Sequence, residues 1–214
     1  MENKKKTLVP IIIGVTILIL LVAGATYAYF QASNTASGTT NVEASTEKIG
    51  TVIVTNPTEN LYMKLSAYDM QESKAGTTYY ATNDSSKSYE TVGQNHVLST
   101  ATISGGEEDT VYNCTYKLTV TKPTQIQAGD MALFINSNGA TIDGASSVNT
   151  DLYGASAGNT ITYNVSFNHT GNGTVNLLTG DIAFNNITSE QNHLVGQTLS
   201  TAITNSDLNC SVVK

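Results

Sequence analysis

Two patterns of apolar residues divide the chain. Residues Leu8–Phe30 form a nearly continuous apolar run of 23 residues without a charge, whereas farther along apolar and polar residues alternate in short runs. The first pattern predicts a helix long enough to cross a bilayer, which takes about 20 residues. The second predicts half-buried strands. We therefore expect a signal peptide or membrane anchor helix in 1–28, a polar linker or assembly strand in 29–48, and a β-sandwich domain in 49–214.

The strongest strand prediction is Thr110–Thr121, where apolar and polar residues alternate strictly. Such alternation indicates one buried and one solvated face. Its apolar face carries Tyr112, Cys114, Tyr116, Leu118 and Val120. Thr160–Asn168 repeats the pattern with Ile161, Tyr163, Val165 and Phe167. Other predicted strands are Ile49–Thr55, Leu61–Tyr68, Thr77–Thr82, His96–Ser104, Met131–Asn136, Ala140–Ile142, Val175–Leu178, Ile182–Asn186, Gln197–Ile203 and Leu208–Val213.

Some of these segments allow a second interpretation. Leu61–Met70 also fits a short helix, and Val175–Leu178 with Ile182–Asn186 also fits one bent strand. Asn138-Gly139 predicts a hairpin turn. Strands that recur about every ten residues, with turn residues between them, are typical of an antiparallel β-sandwich. The predicted fold is thus all-β, a jelly-roll or immunoglobulin-like sandwich preceded by one N-terminal hydrophobic helix.

The apolar run Leu8–Phe30 has a predicted orientation. Lys4, Lys5 and Lys6 precede it, and positive charge stays on the cytoplasmic side, so the residues that follow are expected outside the cytoplasm. A cleaved signal peptide and a permanent anchor both fit. Small residues suited to signal peptidase occur twice, at Ala23-Gly24-Ala25 and at Thr26-Tyr27-Ala28.

The residues Gly24-Ala25-Thr26-Tyr27-Ala28-Tyr29-Phe30 resemble the end of the signal peptide in the TasA/camelysin family of bacterial surface and biofilm-matrix proteins. The Ser/Thr/Asn-rich tract after Phe30 is similar to that family too. Gln31-Ala32 depart from the family's usual Ser/Thr-Asp. The resemblance implies export and cleavage between Ala28 and Tyr29. It also brings an alternative, because some camelysin-type proteins are described as zinc peptidases.

The amino-acid composition of the chain restricts the classes of partner that we expect it to bind. The chain has no arginine, and the part after Ala28 holds seven of the ten lysines and sixteen of the seventeen acidic residues, a formal net charge of −9. A negative domain repels phosphate backbones, so we expect no nucleic-acid partner. Nucleotide-binding motifs such as G-x-x-x-x-G-K-[ST] do not occur in the sequence. We expect contact with a membrane only through Leu8–Phe30 before cleavage, and no cofactor.

The chain has two cysteines, Cys114 and Cys210. Both fall on the apolar face of a predicted strand, and outside the cytoplasm a disulfide can persist. We therefore predict one bridge between them, with Cα atoms within about 7 Å. The alternative is a pair of buried thiols.

Candidate catalytic and metal-binding residues are few. His96, His169 and His193 each follow an asparagine, and none belongs to an H-E-x-x-H motif. Glu107-Glu108-Asp109 fits either a calcium site or, more simply, a solvated turn. Tyr79-Tyr80 fits either a binding surface or the edge of the core. We assign no catalytic or metal-binding residue from the sequence.

The expected function is that of an exported structural or biofilm-matrix-like subunit without enzymatic activity, on the cell surface or outside the cell. Its predicted partners are further copies of itself or other surface proteins. The freed segment Tyr29–Lys48 is expected to add as a strand to a neighbouring subunit. The alternatives are an adhesin-like sandwich tethered by an uncleaved Leu8–Phe30, and a secreted metallopeptidase of the camelysin type.

Overall fold

The computed structural model describes residues 39–41, 50–153, 159–186 and 189–213. The predicted leader, its cleavage point at Ala28-Tyr29, the orienting lysines Lys4, Lys5 and Lys6, and most of the polar segment 29–48 lie outside these residues. Within the described ranges, no helix is both long and apolar enough to span a membrane.

The described chain is all-β, with antiparallel sheets and two short 3-10 helices at Glu72–Lys74 and Ser189–Leu194. This confirms the all-β, antiparallel part of the predicted fold, whereas the predicted N-terminal helix lies outside the described residues. The strands are β1 (Thr39–Asn41), β2 (Thr51–Thr55), β3 (Asn60–Lys64), β4 (Thr78–Tyr80), β5 (His96–Ser104), β6 (Val111–Thr121), β7 (Met131–Ser137), β8 (Ala140–Ile142), β9 (Ser147–Asp151), β10 (Thr160–Thr170), β11 (Gly173–Asn185) and β12 (Thr198–Val213).

Two sheets face each other in a sandwich-like arrangement. The first, sheet A, has the order β1-β2-β5-β11-β7-β9, and β4 pairs with the far end of β11. The second, sheet B, has the order β3-β12-β6-β10-β8. From β5 to β12 every successive strand lies in the other sheet, so alternate apolar residues of both sheets meet in one core.

Strict alternation predicted the centre of sheet B correctly. Every apolar residue predicted to face inward on β6 and β10 is buried. The two strands pair in register without interruption from Thr160 opposite Thr121 to Thr170 opposite Val111. The register of the two strands is fixed, because a slip of one residue would turn all the inward apolar side chains of the slipped strand to the solvated face.

Tyr112, at one end of β6, shows how closely the core is packed. Its side chain is fully buried, and its hydroxyl accepts a hydrogen bond of 3.1 Å from the backbone nitrogen of Gly50. A Cβ atom at Gly106 would overlap that hydroxyl. Gly106 is therefore required by close approach between the backbone and a buried tyrosine.

Three sequence predictions need correction. Asn138-Gly139 turns the chain, with Gly139 at φ +74, but it does not make a hairpin. β7 pairs with β9 and β11 in sheet A, whereas β8 pairs with β10 in sheet B. The helical alternative for Leu61–Met70 is wrong, since β3 runs through its first part. The sequence pattern does not predict β9, because its residues are mostly polar and lie half buried or exposed at the sheet edge.

The last strands are longer than their apolar runs. β11 joins the two predicted segments Val175–Leu178 and Ile182–Asn186 into one strand that is irregular near Leu178. β12 likewise joins Gln197–Ile203 to Leu208–Val213. A bulge between Ser206 and Asn209 lets the strand continue through the polar interruption.

Candidate functional site

The two cysteines form the predicted disulfide. Cys114 on β6 and Cys210 on β12 are direct register partners with Cα atoms 4.1 Å apart. Both side chains are buried on the inner face of sheet B. The bond closes a sequence separation of 96 residues, and a loop of that size stabilises by about 4–5 kcal/mol in the chain-entropy model, or about 2–4 kcal/mol in typical measurements. It acts as a structural staple.

The histidines lie on three different elements, and two of them face carboxylates. His193, in the second 3-10 helix, places Nε2 3.0 Å from Oδ2 of the buried Asp130. His96, the first residue of β5, places Nε2 3.8 Å from Oδ1 of Asp181 on β11. Both histidine-carboxylate pairs join segments far apart in sequence. No sequence motif predicted them, because neither partner lies near the other along the chain.

Asp181 also holds a loop in place. Its two carboxylate oxygens accept hydrogen bonds from the backbone nitrogens of Gln94 at 3.2 Å and Asn95 at 2.9 Å. Asn95 adopts φ +51, a left-handed conformation that asparagine tolerates better than most residues. The pair of Asp181 and His96 therefore fixes the start of β5, which is a structural task.

No metal centre is assigned. In the part of the chain that the structure describes, no three His, Cys, Asp or Glu side chains are grouped so that they could hold a metal ion. Glu107, Glu108 and Asp109 are exposed in the connection from β5 to β6. Asn172 ties this connection to the next one, since its side chain bonds both the backbone nitrogen and the oxygen of Gly106.

Asp69 is a buried carboxylate that the sequence reading missed. It accepts hydrogen bonds from the Ser66 backbone nitrogen at 2.8 Å, the Ser66 hydroxyl at 2.6 Å and the Tyr89 hydroxyl at 2.8 Å. Burial works to raise the pKa of Asp69, but these hydrogen bonds outweigh it and lower the pKa below its ordinary value. The same bond to Asp69, with burial, raises the pKa of Tyr89 to about 12.

The Ser66-Ala67-Tyr68-Asp69 spacing is the signal that could have revealed this turn. A serine and an aspartate three residues apart commonly exchange hydrogen bonds with the local backbone. The turn also orders the tyrosines, because Tyr79 packs against Tyr89 with ring centroids 4.6 Å apart. Tyr79 is buried and Tyr80 half buried, so the pair Tyr79-Tyr80 covers the core edge.

The edge of sheet A is the surface that bears on assembly. β1 lies inside the segment 29–48 and pairs antiparallel with β2 at three positions, Thr39 opposite Ile53, Thr40 opposite Val52 and Asn41 opposite Thr51. β2 is paired on its other side with β5. Thus a short piece of the polar segment takes the place of an edge strand.

Comparison with known proteins adds no relative. The chain matches no protein-family model, and no curated protein matches it significantly. The resemblance to the TasA/camelysin family accordingly stays a prediction from the sequence.

Proposed function

We propose that the chain is an exported structural subunit of a bacterial cell surface, without enzymatic activity, that assembles through its N-terminal segment. The observation that carries this proposal is β1. A segment whose composition also fits a loose tether contributes a strand to sheet A. Capacity to pair as an edge strand is the property an assembly segment needs.

Export has two independent supports. The uncharged run Leu8–Phe30 follows three lysines, an arrangement that directs the following chain out of the cytoplasm. The Cys114–Cys210 disulfide belongs to the folded domain, and structural disulfides persist in oxidising compartments. Cleavage between Ala28 and Tyr29 would free the segment that contains β1.

We also propose that the two-sheet fold is a jelly-roll. It is supported by the order β3-β12-β6-β10 in sheet B facing β5-β11-β7-β9 in sheet A. Among these eight strands the first and the last along the chain, β3 and β12, are neighbours. From β5 to β12 each successive strand of the chain lies in the other sheet. Two nested Greek keys of eight strands produce that pattern.

Assembly would proceed by exchange of β1. Only nine residues, 42–50, separate β1 from β2 in the sequence. If β1 of one subunit pairs with β2 of the next, the same backbone hydrogen bonds form between subunits, so exchange costs little beyond the entropy of association. Tyr29 and Phe30 would add apolar contacts once they leave the membrane. Head-to-tail exchange of this kind builds a filament.

The test compares exported protein with variants of the segment 29–48. Sedimentation and electron microscopy should show polymers for the unaltered protein and monomers after deletion of 29–48. Replacing both Thr39 and Thr40 by proline should also abolish polymers, because proline removes the amide donors of β1. The matched replacement of both by alanine should preserve them. Polymers that survive the deletion, or unaltered protein that stays monomeric at high concentration, would refute the proposal.

A tethered, adhesin-like domain is the second candidate. The length of the apolar part Leu8–Ala23 favours it, because its 16 residues slightly exceed the 7–15 residues usual for that part of a signal peptide. The mass of the protein taken from cells separates the two candidates. Protein that begins at Tyr29 supports the exported subunit, whereas membrane-bound protein that retains residues 1–28 supports the tether.

A further inference from the structure

A groove of about 500 Å³ crosses the outer face of sheet B. Its floor is formed by outward residues of β6 and β10, which are Thr115, Lys117, Asn164 and Ser166. Asp143 and Asp207 also line it. Its volume falls within the range of about 300–1,000 Å³ that small-molecule sites occupy.

Asp143 is positioned by the turn after β8. It adopts φ +47, and its Oδ1 accepts hydrogen bonds from the backbone nitrogen of Asn164 at 2.9 Å and from the Asn164 side-chain amide at 3.1 Å. The left-handed backbone and two hydrogen bonds hold this carboxylate against β10. Aspartate is among the few residues that adopt this conformation readily.

Asp207 is positioned by the bulge in β12. Two residues, Asp207 and Leu208, lie between the register partners Ser206–Lys117 and Asn209–Thr115. Leu208 packs against the core, whereas Asp207 is exposed, adopts φ +56 and forms a 2.8 Å ion pair with Lys117. A bulge redirects a side chain while the strand continues, and here it adds a carboxylate to the outer face.

The groove offers polar groups of complementary kinds. Lys117 and the Asn164 amide are donors, the two carboxylates are acceptors, and Ser166 shares a 2.7 Å hydrogen bond with Thr141 at the margin. Tyr116 and Val165 also line the groove, but they are buried residues of the inward-facing phase. The side chains that face outward into the groove are therefore all polar or charged.

The net charge of the groove further restricts the class of ligand that it can bind. Two carboxylates against one ammonium give the groove a net negative charge, which disfavours phosphates, nucleic acids and acidic polymers. A metal ion lacks a suitable set of ligands in the described residues, as noted above. A neutral molecule rich in hydroxyl groups matches this mixed set of groups better than an organic cation does. A hydroxyl can donate to a carboxylate and also accept from the Lys117 ammonium or the Asn164 amide, whereas an ammonium or guanidinium ligand can only donate.

We propose that this groove binds a short stretch of neutral carbohydrate. Asp143 and Asp207 accept hydrogen bonds from sugar hydroxyls, while Lys117 and Asn164 donate to hydroxyl or ring oxygens. The site is distinct from the assembly edge at β1 and β2, because it lies on sheet B and they lie in sheet A. A surface subunit with such a site would hold a polysaccharide alongside its own polymer.

The test uses the full chain in a zwitterionic detergent without a sugar headgroup. The probes are maltotriose and chitotriose as neutral oligosaccharides, with trigalacturonate as the acidic control. Titration followed by nitrogen-15 NMR should shift the amides of Thr115, Lys117, Asn164 and Asp207 for at least one neutral probe, and not for trigalacturonate. Shifts that saturate with a Kd of about 1 mM or below count as binding.

Variants decide whether the groove is responsible. Replacing Lys117 and Asp207 together by alanine should weaken binding at least about tenfold, the loss expected for hydrogen bonds to charged groups. Thr119→Ala, on the same outer face but outside the groove, should bind like the unaltered chain. The spectra of both variants report whether the fold is intact. No binding of either neutral probe, shifts confined to another surface, preference for trigalacturonate, or unchanged binding by the double variant would overturn the proposal.

Discussion

The pairing of β6 with β12 and the pairing of β1 with β2 differ greatly in the number of residue pairs that hold the two strands together. β6 and β12 match at ten residue pairs and are joined by the Cys114–Cys210 bond. β1 and β2 match at only three residue pairs. The first pair lies inside sheet B, and the second lies at the edge of sheet A. A strand held at three positions can exchange partners at little cost, whereas a long, cross-linked pair cannot.

The largest expected effect comes from the core that β6 shares with its neighbours. Leu118 is completely buried, and replacing it by alanine removes apolar contacts and leaves a cavity. We expect Leu118→Ala to lower the free energy of unfolding by about 2–5 kcal/mol. Urea unfolding measures it. Thr121→Ala, at an exposed position on the outer face of the same strand, should change stability by no more than about 0.5 kcal/mol, and equal losses for the two variants would contradict the assigned faces.

Removal of the disulfide should give the next largest loss of stability. Replacing Cys114 and Cys210 together by serine should lower stability by about 2–4 kcal/mol, which for a chain of this size lowers Tm by about 2–4 °C per kcal/mol. Thermal unfolding under non-reducing conditions measures the loss. Reductant should lower the Tm of the unaltered protein and leave the double-serine variant unchanged. Identical melting of both proteins without reductant would show that the bond contributes nothing.

Asp69 should produce a smaller, pH-dependent effect. Its pKa is lower in the folded state than its ordinary value of 3.8, so its contribution is fully present above that value and is lost as the pH falls through the folded-state pKa. Asp69→Asn should lower stability at neutral pH by about 1.5–3 kcal/mol, because hydrogen bonds to a charged group are lost.

Unfolding curves across pH supply the check for Asp69. The difference between the unaltered protein and Asp69→Asn should shrink as the solution becomes acidic. Asp84→Asn serves as a comparison, because that carboxylate is also hydrogen bonded but lies at the surface. A difference for Asp69→Asn that is constant from neutral to acid pH would contradict the assigned hydrogen bonds to the charged form.

Sequence reasoning succeeded where one physical requirement dominated. β6 and β10 are central strands with one dry and one wet face, so their alternation predicted both the strands and the buried side of each. The inward phase of Cys114 and Cys210 predicted the disulfide for the same reason. Local alternation contains no information on which sheet a strand joins, and so Asn138-Gly139 was misread as a hairpin.

The sites that sequence reasoning missed depend on tertiary structure. His193 and Asp130 are 63 residues apart in sequence, and only the folded chain brings their side chains together. The groove on sheet B depends on the bulge at Asp207, and a polar interruption between two apolar runs predicts a loop as readily as a bulge. Ser66 and Asp69 form the exception, since their spacing along the chain is itself informative.

The central claim, that β1 passes between subunits, can be tested by cross-linking. Thr39 and Ile53 are register partners across β1 and β2, so cysteines at both positions should form a bond wherever the two strands pair. Each of the single variants Thr39→Cys and Ile53→Cys serves as a control for random cross-linking. Exported, assembled protein is oxidised and separated by size without reductant.

Exchange predicts a ladder of dimers, trimers and longer species from the double-cysteine variant, which collapses to monomers on reduction. The single variants should give at most dimers. If the assembled double variant instead runs as a monomer with an internal bond, β1 stays on its own subunit and the proposed mode of assembly is wrong.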